Sequence, residues 1–203
     1  MYSVIIPTMW RSPRTLKLIS DLVQCDKVGE VIIVDNNPDN GNVDVQKGSG
    51  KVKIISNGKN NYVNPSWNMG VHAAAYPLIA LCNDDINFNA NKMFELEPEA
   101  GDIFGISETC YEIEKEFDYP TVTSTDKRGH GWGCLIIMRK EDYKPIDERL
   151  RVSFGDDWLF WFCIPRTYNI NGIRVETEMS TTSREAEFIA IAEEDGKVWN
   201  SLK

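Results

Sequence analysis

Short apolar runs separated by stretches of helical period fill the first half of the chain. Tyr2 to Thr8 (Tyr-Ser-Val-Ile-Ile-Pro-Thr) reads as a strand stopped by Pro7, and Ser12-Pro13 follows as N-cap and first helical position. Leu16, Ile19 and Val23, spaced i, i+3, i+7, give that helix an apolar stripe. Glu30 to Val34 is a second buried strand, ending in Asp35-Asn36-Asn37-Pro38-Asp39, and Val52 to Ser56 is a third. Asn64-Pro65 repeats the cap-plus-proline signal and opens a helix through about Ala75. Leu78 to Asn87 starts as an apolar run and ends abruptly in polar and acidic residues, the pattern of a strand buried on both faces. Strand, helix, strand, strand, helix, strand with β-branched runs predicts an α/β chain, a Rossmann-like domain with a mostly parallel central sheet flanked by helices.

The second half is less regular. Asp102 to Ile106 predicts a short strand, whereas Glu108 to Arg128 is charged and without period, as in a long loop or hairpin. Trp132 to Arg139 returns to strand character after the flexible Gly129-His130-Gly131. Asp156-Asp157 opens an aromatic run, Trp158 to Phe162, that reads as a buried helix. Thr182 and Glu185 fit a capping box for a last helix, with Phe188 and Ile191 facing inward and Gly196 past its end. No internal repeat or low-complexity segment interrupts the chain, so residues 1–203 read as one domain with a full core.

Charge and cysteine usage narrow the partners. A net charge of -9 argues against broad attraction to phosphate backbones, without excluding a local basic groove. The five cysteines are odd in number, widely spaced and without a C-x-x-C pair, which fits neither a disulfide framework nor a zinc site and implies a reducing, cytoplasmic compartment. Strand-like sequence from residue 2, and no apolar run near eighteen residues, predict neither a signal peptide nor a membrane span.

Three acidic clusters stand at element ends: Asp35, Asp84-Asp85 and Asp156-Asp157. The middle pair lies at the C-terminal end of a buried strand, where open α/β sheets bind ligands. One or two carboxylates completed by substrate phosphates is the usual magnesium arrangement, and manganese takes the same oxygen donors. The competing structural explanation is a solvated turn. Asp156 and Asp157 likewise suit a helix N-terminus, where acidic side chains meet the macrodipole favourably. His72, within an apolar helical stretch, reads as a core histidine. No G-x-G-x-x-G follows the first strand and no P-loop is present, so a nucleotide would be held in another way.

Taken in order, Ser3-Val-Ile-Ile-Pro-Thr8 with Arg11, Glu30-Val-Ile-Ile-Val-Asp35-Asn36-Asn37, Trp67-Asn68-Met69-Gly70, Asn83-Asp84-Asp85, and Gly155-Asp156-Asp157-Trp158-Leu159-Phe160 resemble the inverting family 2 glycosyltransferases of the GT-A fold. The resemblance spans most of residues 2–200 and extends to small members encoded by tailed phages, which would place the protein in a host cytoplasm. It implies a nucleotide-sugar-binding half over about 1–87 and an acceptor-binding, catalytic half over about 88–203. Thr8 and Asp35 fall where the family holds the nucleotide base, usually uracil, with Arg11 supporting the pocket and Asn68 in the same donor-binding set. Trp67 stands where many members carry arginine, which leaves the base open. Asn83-Asp84-Asp85 replaces the family's Asp-x-Asp, so either aspartate is the main ligand of Mn2+ or Mg2+. Successive strand side chains point oppositely, and we favour Asp85, with Asp84 near the donor and Asn83 toward the ribose.

The family's late metal-ligating His is absent from Glu176 to Ser183, leaving Glu178 as a substitute ligand. Asp157 matches the catalytic base. Asp156 reads as acceptor-binding or capping, and His130 and Trp132 as acceptor contacts through hydrogen bonding and stacking. The resemblance therefore implies metal-dependent transfer from a nucleotide diphosphate sugar, UDP-linked by preference, to a hydroxyl of a glycan, a protein or a modified nucleobase. A sugar-nucleotide pyrophosphorylase shares a related architecture, but Met9-Trp10-Arg11 stands where its glycine-rich loop belongs. A non-catalytic nucleotide-sugar or glycan-binding module is the third alternative, and the presence of Asp157 and the metal carboxylates argues against it.

Overall fold

A computed structural model describes residues 1–37, 50–163, 166–178 and 186–202. Among the described residues, ten strands form in the order β1 (Tyr2–Thr8), β2 (Val28–Asp35), β3 (Val52–Ser56), β4 (Leu78–Cys82), β5 (Ile86–Phe88), β6 (Asp102–Ile106), β7 (Thr121–Ser124), β8 (Leu135–Arg139), β9 (Arg166–Asn171) and β10 (Val175–Thr177). The helices are α1 (Thr15–Gln24), α2 (Val63–Ala73), α3 (Ala90–Met93), α4 (Gly155–Trp158) and α5 (Ala186–Leu202). Eight strands make one sheet in the order β3-β2-β1-β4-β8-β6-β9-β7, and β10 pairs with β5 in a small second sheet. The first four neighbours are parallel, β6 and β9 point the same way, and only β8 and β7 run against them. The fold is thus the expected α/β arrangement with a mostly parallel sheet.

Near-continuous apolar strands follow from cover on both faces. Val4, Ile6, Val31 and Ile33 pack with Leu18 and Leu22 of α1 on one side. Ile5, Ile32, Ile79 and Leu81 pack with Trp67 of α2 and Trp199 of α5 on the other. From β1 the chain winds outward to β2 and β3, then crosses back to β4 on β1's other side. That reversal opens a crevice at the carboxyl ends of β1 and β4, where Thr8 and Asn83-Asp84-Asp85 emerge.

Several local expectations are corrected. Helix α1 begins at Thr15, behind a turn in which the Ser12 Oγ accepts from the Arg14 amide at 3.1 Å. Its buried face is Thr15, Leu18, Ile19 and Leu22, while Leu16 is exposed. Asn64 lies inside the first turn of α2 instead of capping it, because its side-chain amide donates to the Ser153 carbonyl at 2.9 Å. The segment 108–128 is not only loop: β7 within it extends the sheet by pairing with β9. Trp132–Cys134 forms a 3₁₀ turn before β8. The aromatic run becomes a π-helical turn over Leu159–Cys163 that buries Leu159 and Phe160 but leaves Trp161 exposed. Gly196 sits within α5, which continues because Trp199 stacks on Phe154 at 5.4 Å. His72 is exposed on the solvent side of α2, not in the core. Pro38, Asp39, Thr182 and Glu185 lie outside the described residues. Among the described residues no helix is long and apolar enough to cross a membrane.

Candidate active site

The crevice is a cleft of about 400 Å³. Thr8, Asn36 and Tyr62 line one wall, Asn83 to Asp85 the base, and Arg128, His130 and Asp156 the other wall. Among the described residues, three other than glycine adopt left-handed backbone, Trp10 (φ 60), Tyr62 (φ 64) and Phe154 (φ 63), and all three flank this cleft or the loop entering it. Such conformations cost about 1–3 kcal/mol each and persist where surrounding bonds over-determine them. Here Thr8 Oγ1 accepts from the Trp10 amide at 2.8 Å, and Asn60 Oδ1 accepts from the Tyr62 amide at 2.8 Å. Buried Asn36 ties the first wall together: its amide donates to the Thr8 carbonyl and its side chain to Ser66 Oγ, and its Oδ1 accepts from the Asn61 amide.

At the base of the cleft Thr8 Oγ1 donates a short hydrogen bond to Asp84 Oδ2, fastening the end of β1 to the carboxylate pair. Burial pushes the Asp84 carboxyl up to about 6; the Thr8 bond lowers it and neighbouring Asp85 raises it. Asp85 is 8% exposed. Burial and the neighbouring Asp85 carboxylate both oppose the Asp84 anion, and two adjacent hard oxygen donors of this kind suit a divalent cation, which would relieve both penalties. Among the described residues no group of three or more His, Cys, Asp or Glu side chains is placed to hold a metal, so ligand oxygens would complete the shell. Antiparallel β5 and β10 bring the Glu178 amide to the Asp85 carbonyl at 3.4 Å, but the Glu178 carboxylate pairs with Arg14 Nε at 3.7 Å. The backbone of Glu178 reaches the backbone of Asp85; its side chain is turned to Arg14.

Across the cleft stand Asp156 and Asp157, in the first turn of α4. Arg128 bridges them, Nη1 to Asp156 Oδ2 at 2.7 Å and Nε to Asp157 Oδ1 at 2.9 Å. Asp156, rather than Asp157, lines the cleft. Burial raises the Asp156 carboxyl, Arg128 lowers it, and Asp157 raises it again. Close approach depends on two glycines: a Cβ on Gly133 would meet Asp156 at 2.6 Å, and one on Gly155 would meet Asn64 Oδ1 at 2.0 Å.

The remaining expected site residues divide. Asn83 and His130 line the cleft. Asp35 stands at its edge, its Oδ1 accepting from Trp10 Nε1 and the Asn37 amide, both at 3.0 Å. Arg11 stacks its guanidinium over Phe188 at 6.0 Å, and Phe188 reaches the cleft from α5. Asn68 is not brought in: its amide is taken up by Tyr143 and by both polar groups of the Ile146 backbone. Trp132 is corrected as well, being fully buried with Nε1 donating to the Tyr168 carbonyl and its ring edge-on to Phe160. Trp67 is core, 4% exposed, and borders the cleft. Sequence reasoning missed Arg128, Asn36, Tyr62 and Phe188. Tyr62 carried a local signal, since Asn60-Asn61 is a turn pair beside it, and Asn36 stood within the Asp35-Asn36-Asn37 motif.

Residues 3–102 match the sequence model of the family described as Glycosyl transferase family 2. No curated protein matches the chain. Among solved structures, GalNAc-T7 with UDP, GalNAc and Mn2+ superposes with a TM-score of 0.60 at 11% identity, covering 95% of this chain and 47% of that one. S. aureus TarS 1–349 in complex with UDP-GlcNAc superposes with a TM-score of 0.61 at 15% identity, covering 94% of this chain and 64% of that one. A nucleotidyl transferase from Methanothermobacter superposes with a TM-score of 0.53 at 16% identity, covering 83% of this chain and 86% of that one. The chain therefore spans about half of GalNAc-T7 and less than two thirds of the TarS fragment, and identities this low speak to the fold alone. Residues 3–102 thus match the glycosyl transferase family 2 model, and nearly the whole chain shares the fold of these solved glycosyltransferases.

Proposed function

We propose that the protein transfers a sugar from a nucleotide diphosphate sugar to an acceptor hydroxyl, with inversion and with help from a divalent cation. The observation that carries this reading is the pairing of two carboxylate clusters across one cleft, Asp84-Asp85 at the exit of β4 and Asp156-Asp157 at the start of α4. A UDP-linked donor is favoured by likeness to GalNAc-T7 and TarS, whose structures hold UDP with GalNAc and UDP-GlcNAc respectively, and Mn2+ by likeness to GalNAc-T7, whose structure holds that ion.

Thr8, Asp35 and Asn83 would hold the nucleotide side, with Tyr62 and Phe188 supplying aromatic surface. Asp84 and Asp85 would hold the cation, which supplies Lewis-acid stabilisation of the departing diphosphate. The acceptor hydroxyl attacks the anomeric carbon opposite the leaving group. As the new carbon–oxygen bond forms and the bond to phosphate breaks, the hydroxyl proton passes to a carboxylate and the bonding electrons leave with the diphosphate. The resemblance of Gly155–Phe160 to the family's acidic motif supports Asp157 as that base, and the cleft-facing position of Asp156 supports a second assignment. A positioned base contributes roughly 10²–10⁴-fold.

The test is hydrolysis and transfer across a panel of nucleotide sugars with Mn2+, Mg2+ or chelator. Cation-dependent release of nucleoside diphosphate from one donor is expected. Pyrophosphate release from a nucleoside triphosphate and a sugar phosphate would support a nucleotidyl transferase instead, and binding without turnover of any donor or acceptor would support a non-catalytic module.

A further inference from the structure

Arg128 comes from the charged, periodless stretch that the sequence left without a role. It sits on the loop 125–131, which leaves the far edge of the sheet and ends at the cleft. The loop is pinned at both ends. On one side the Thr125 amide donates to the Thr167 carbonyl at 2.9 Å, extending the β7–β9 ladder, and the Lys127 amide donates to Thr125 Oγ1 at 3.1 Å. On the other, Glu108 Oε1 accepts from the His130 amide and the Tyr111 hydroxyl donates to the Gly131 carbonyl at 2.7 Å. Strand β7 therefore serves as the anchor from which a guanidinium is delivered onto two adjacent carboxylates.

We propose that Arg128 is a positioning residue for the transfer reaction, its planar guanidinium bridging Asp156 and Asp157 so that a carboxylate is held at a fixed orientation on the acceptor side of the cleft. The inference rests on the glycosyltransferase reading of this site. Its geometric basis is the pair of contacts at 2.7 and 2.9 Å, made by two different nitrogens to two different side chains. A guanidinium can make both bonds from one rigid fork, which an ammonium cannot reproduce. It also offsets the repulsion of neighbouring carboxylates, which otherwise drives one of them to take up a proton.

Other titratable groups face the pair. Cys134, on the 3₁₀ turn behind Gly133, is a thiol that burial pushes up to about 11, and Tyr111 beneath it is pushed higher still, so both stay neutral across the working range. His130 lies on the same loop as Arg128, and Asp84 and Asp85 lie across the cleft. Arg128 is the cation in direct contact with both Asp156 and Asp157 among the described residues.

The test combines two measurements on wild type, Arg128→Met and Arg128→Lys, each first shown to be folded by circular dichroism. Carbon-13 NMR titration of the aspartate carboxyls needs no substrate. In Arg128→Met the Asp156 carboxyl should titrate at higher pH than in wild type, because the guanidinium that lowers it is gone. Arg128→Lys should restore much of that titration because it restores the charge. Turnover of the nucleotide sugar then reads positioning: both variants should lose kcat by about 10²-fold with donor dissociation constants unchanged. In Arg128→Met the acid limb of the kcat profile should follow the NMR titration upward. An unmoved carboxyl titration in Arg128→Met overturns the proposal, as does a lysine variant with wild-type kcat. Should wild type turn over no nucleotide sugar, the functional reading is what fails, and a carboxyl titration unmoved or moved then decides against or for the Arg128 bridge.

Discussion

At the residue scale the two carboxylate pairs differ in what surrounds them. Asp84 accepts from the Thr8 hydroxyl beside Asp85, whereas Asp156 and Asp157 share the Arg128 guanidinium. Asp85→Asn, replacing an anionic oxygen ligand by a neutral amide, is expected to weaken nucleoside diphosphate binding only when Mn2+ is present. Isothermal titration with and without the metal checks this, and unchanged affinity would remove Asp85 from the ligand set; Asp84→Asn in the same assay tells which aspartate dominates. At the second pair, amides keep the size and capping ability of the carboxylates but cannot take a proton. The base should lose at least about 10²-fold in kcat on substitution by Asn with donor affinity preserved, and its neighbour much less. Measuring Asp157→Asn beside Asp156→Asn separates the two, and a variant retaining more than about a tenth of wild-type kcat is not missing its base.

At the scale of elements, α4 enters the cleft because α5 holds the chain before it. Asp195 of α5 is fully buried, and its Oδ2 accepts from the amides of Arg151, Val152 and Ser153 at 3.0, 2.7 and 2.9 Å. Those three amides precede Phe154, whose left-handed backbone turns the chain into Gly155 and the aspartates. Asp195→Ala leaves the three donors unsatisfied and should cost about 3–5 kcal/mol in urea unfolding. Asp195→Asn retains one acceptor oxygen and should cost clearly less; equal losses would show that the carboxylate is not the tie. In sequence, Glu193-Glu194-Asp195-Gly196 looks like a solvated acidic run ending a helix, and nothing local distinguishes the third acid from the first two.

At the scale of the whole molecule, the parallel half of the sheet is linked through one buried acid. Glu30 of β2 accepts from Ser3 of β1 at 2.5 Å and from the Ala75 amide beyond α2 at 2.6 Å, and pairs with Lys53 of β3 at 2.5 Å. Burial opposes its ionisation, but Lys53, Ser3 and the Ala75 amide together outweigh it and hold the carboxyl below its ordinary value of 4.5. A group whose pKa is depressed on folding stabilises the native state above its unfolded pKa, and that contribution fades as pH falls through the folded value. Glu30→Gln should therefore be less stable than wild type near neutrality, with the gap closing at pH below 4.5. Urea midpoints for both proteins across the acid range test this; a gap that stays constant to the acid end would assign the effect to packing.

How much of this was written locally follows from the range of the forces involved. Strands β1, β3, β4 and β6 and the acidic exits at Asp35, Asp84-Asp85 and Asp156-Asp157 were legible because period, β-branching and turn residues act over a few positions. The order of those exits was enough for the fold and its resemblance. Which side chains meet was decided only in three dimensions. Asn68 and Trp132 belong to motifs that resemble a site, yet packing against Tyr143, Ile146 and Tyr168 consumes their polar atoms. Glu178 reaches Asp85 by its backbone while Arg14, 164 residues earlier, takes its carboxylate. Arg128 bridges two aspartates almost thirty residues away because β7 finds β9 at the sheet edge, and a contact fixed by strand pairing at that distance leaves no periodic trace in the residues that make it.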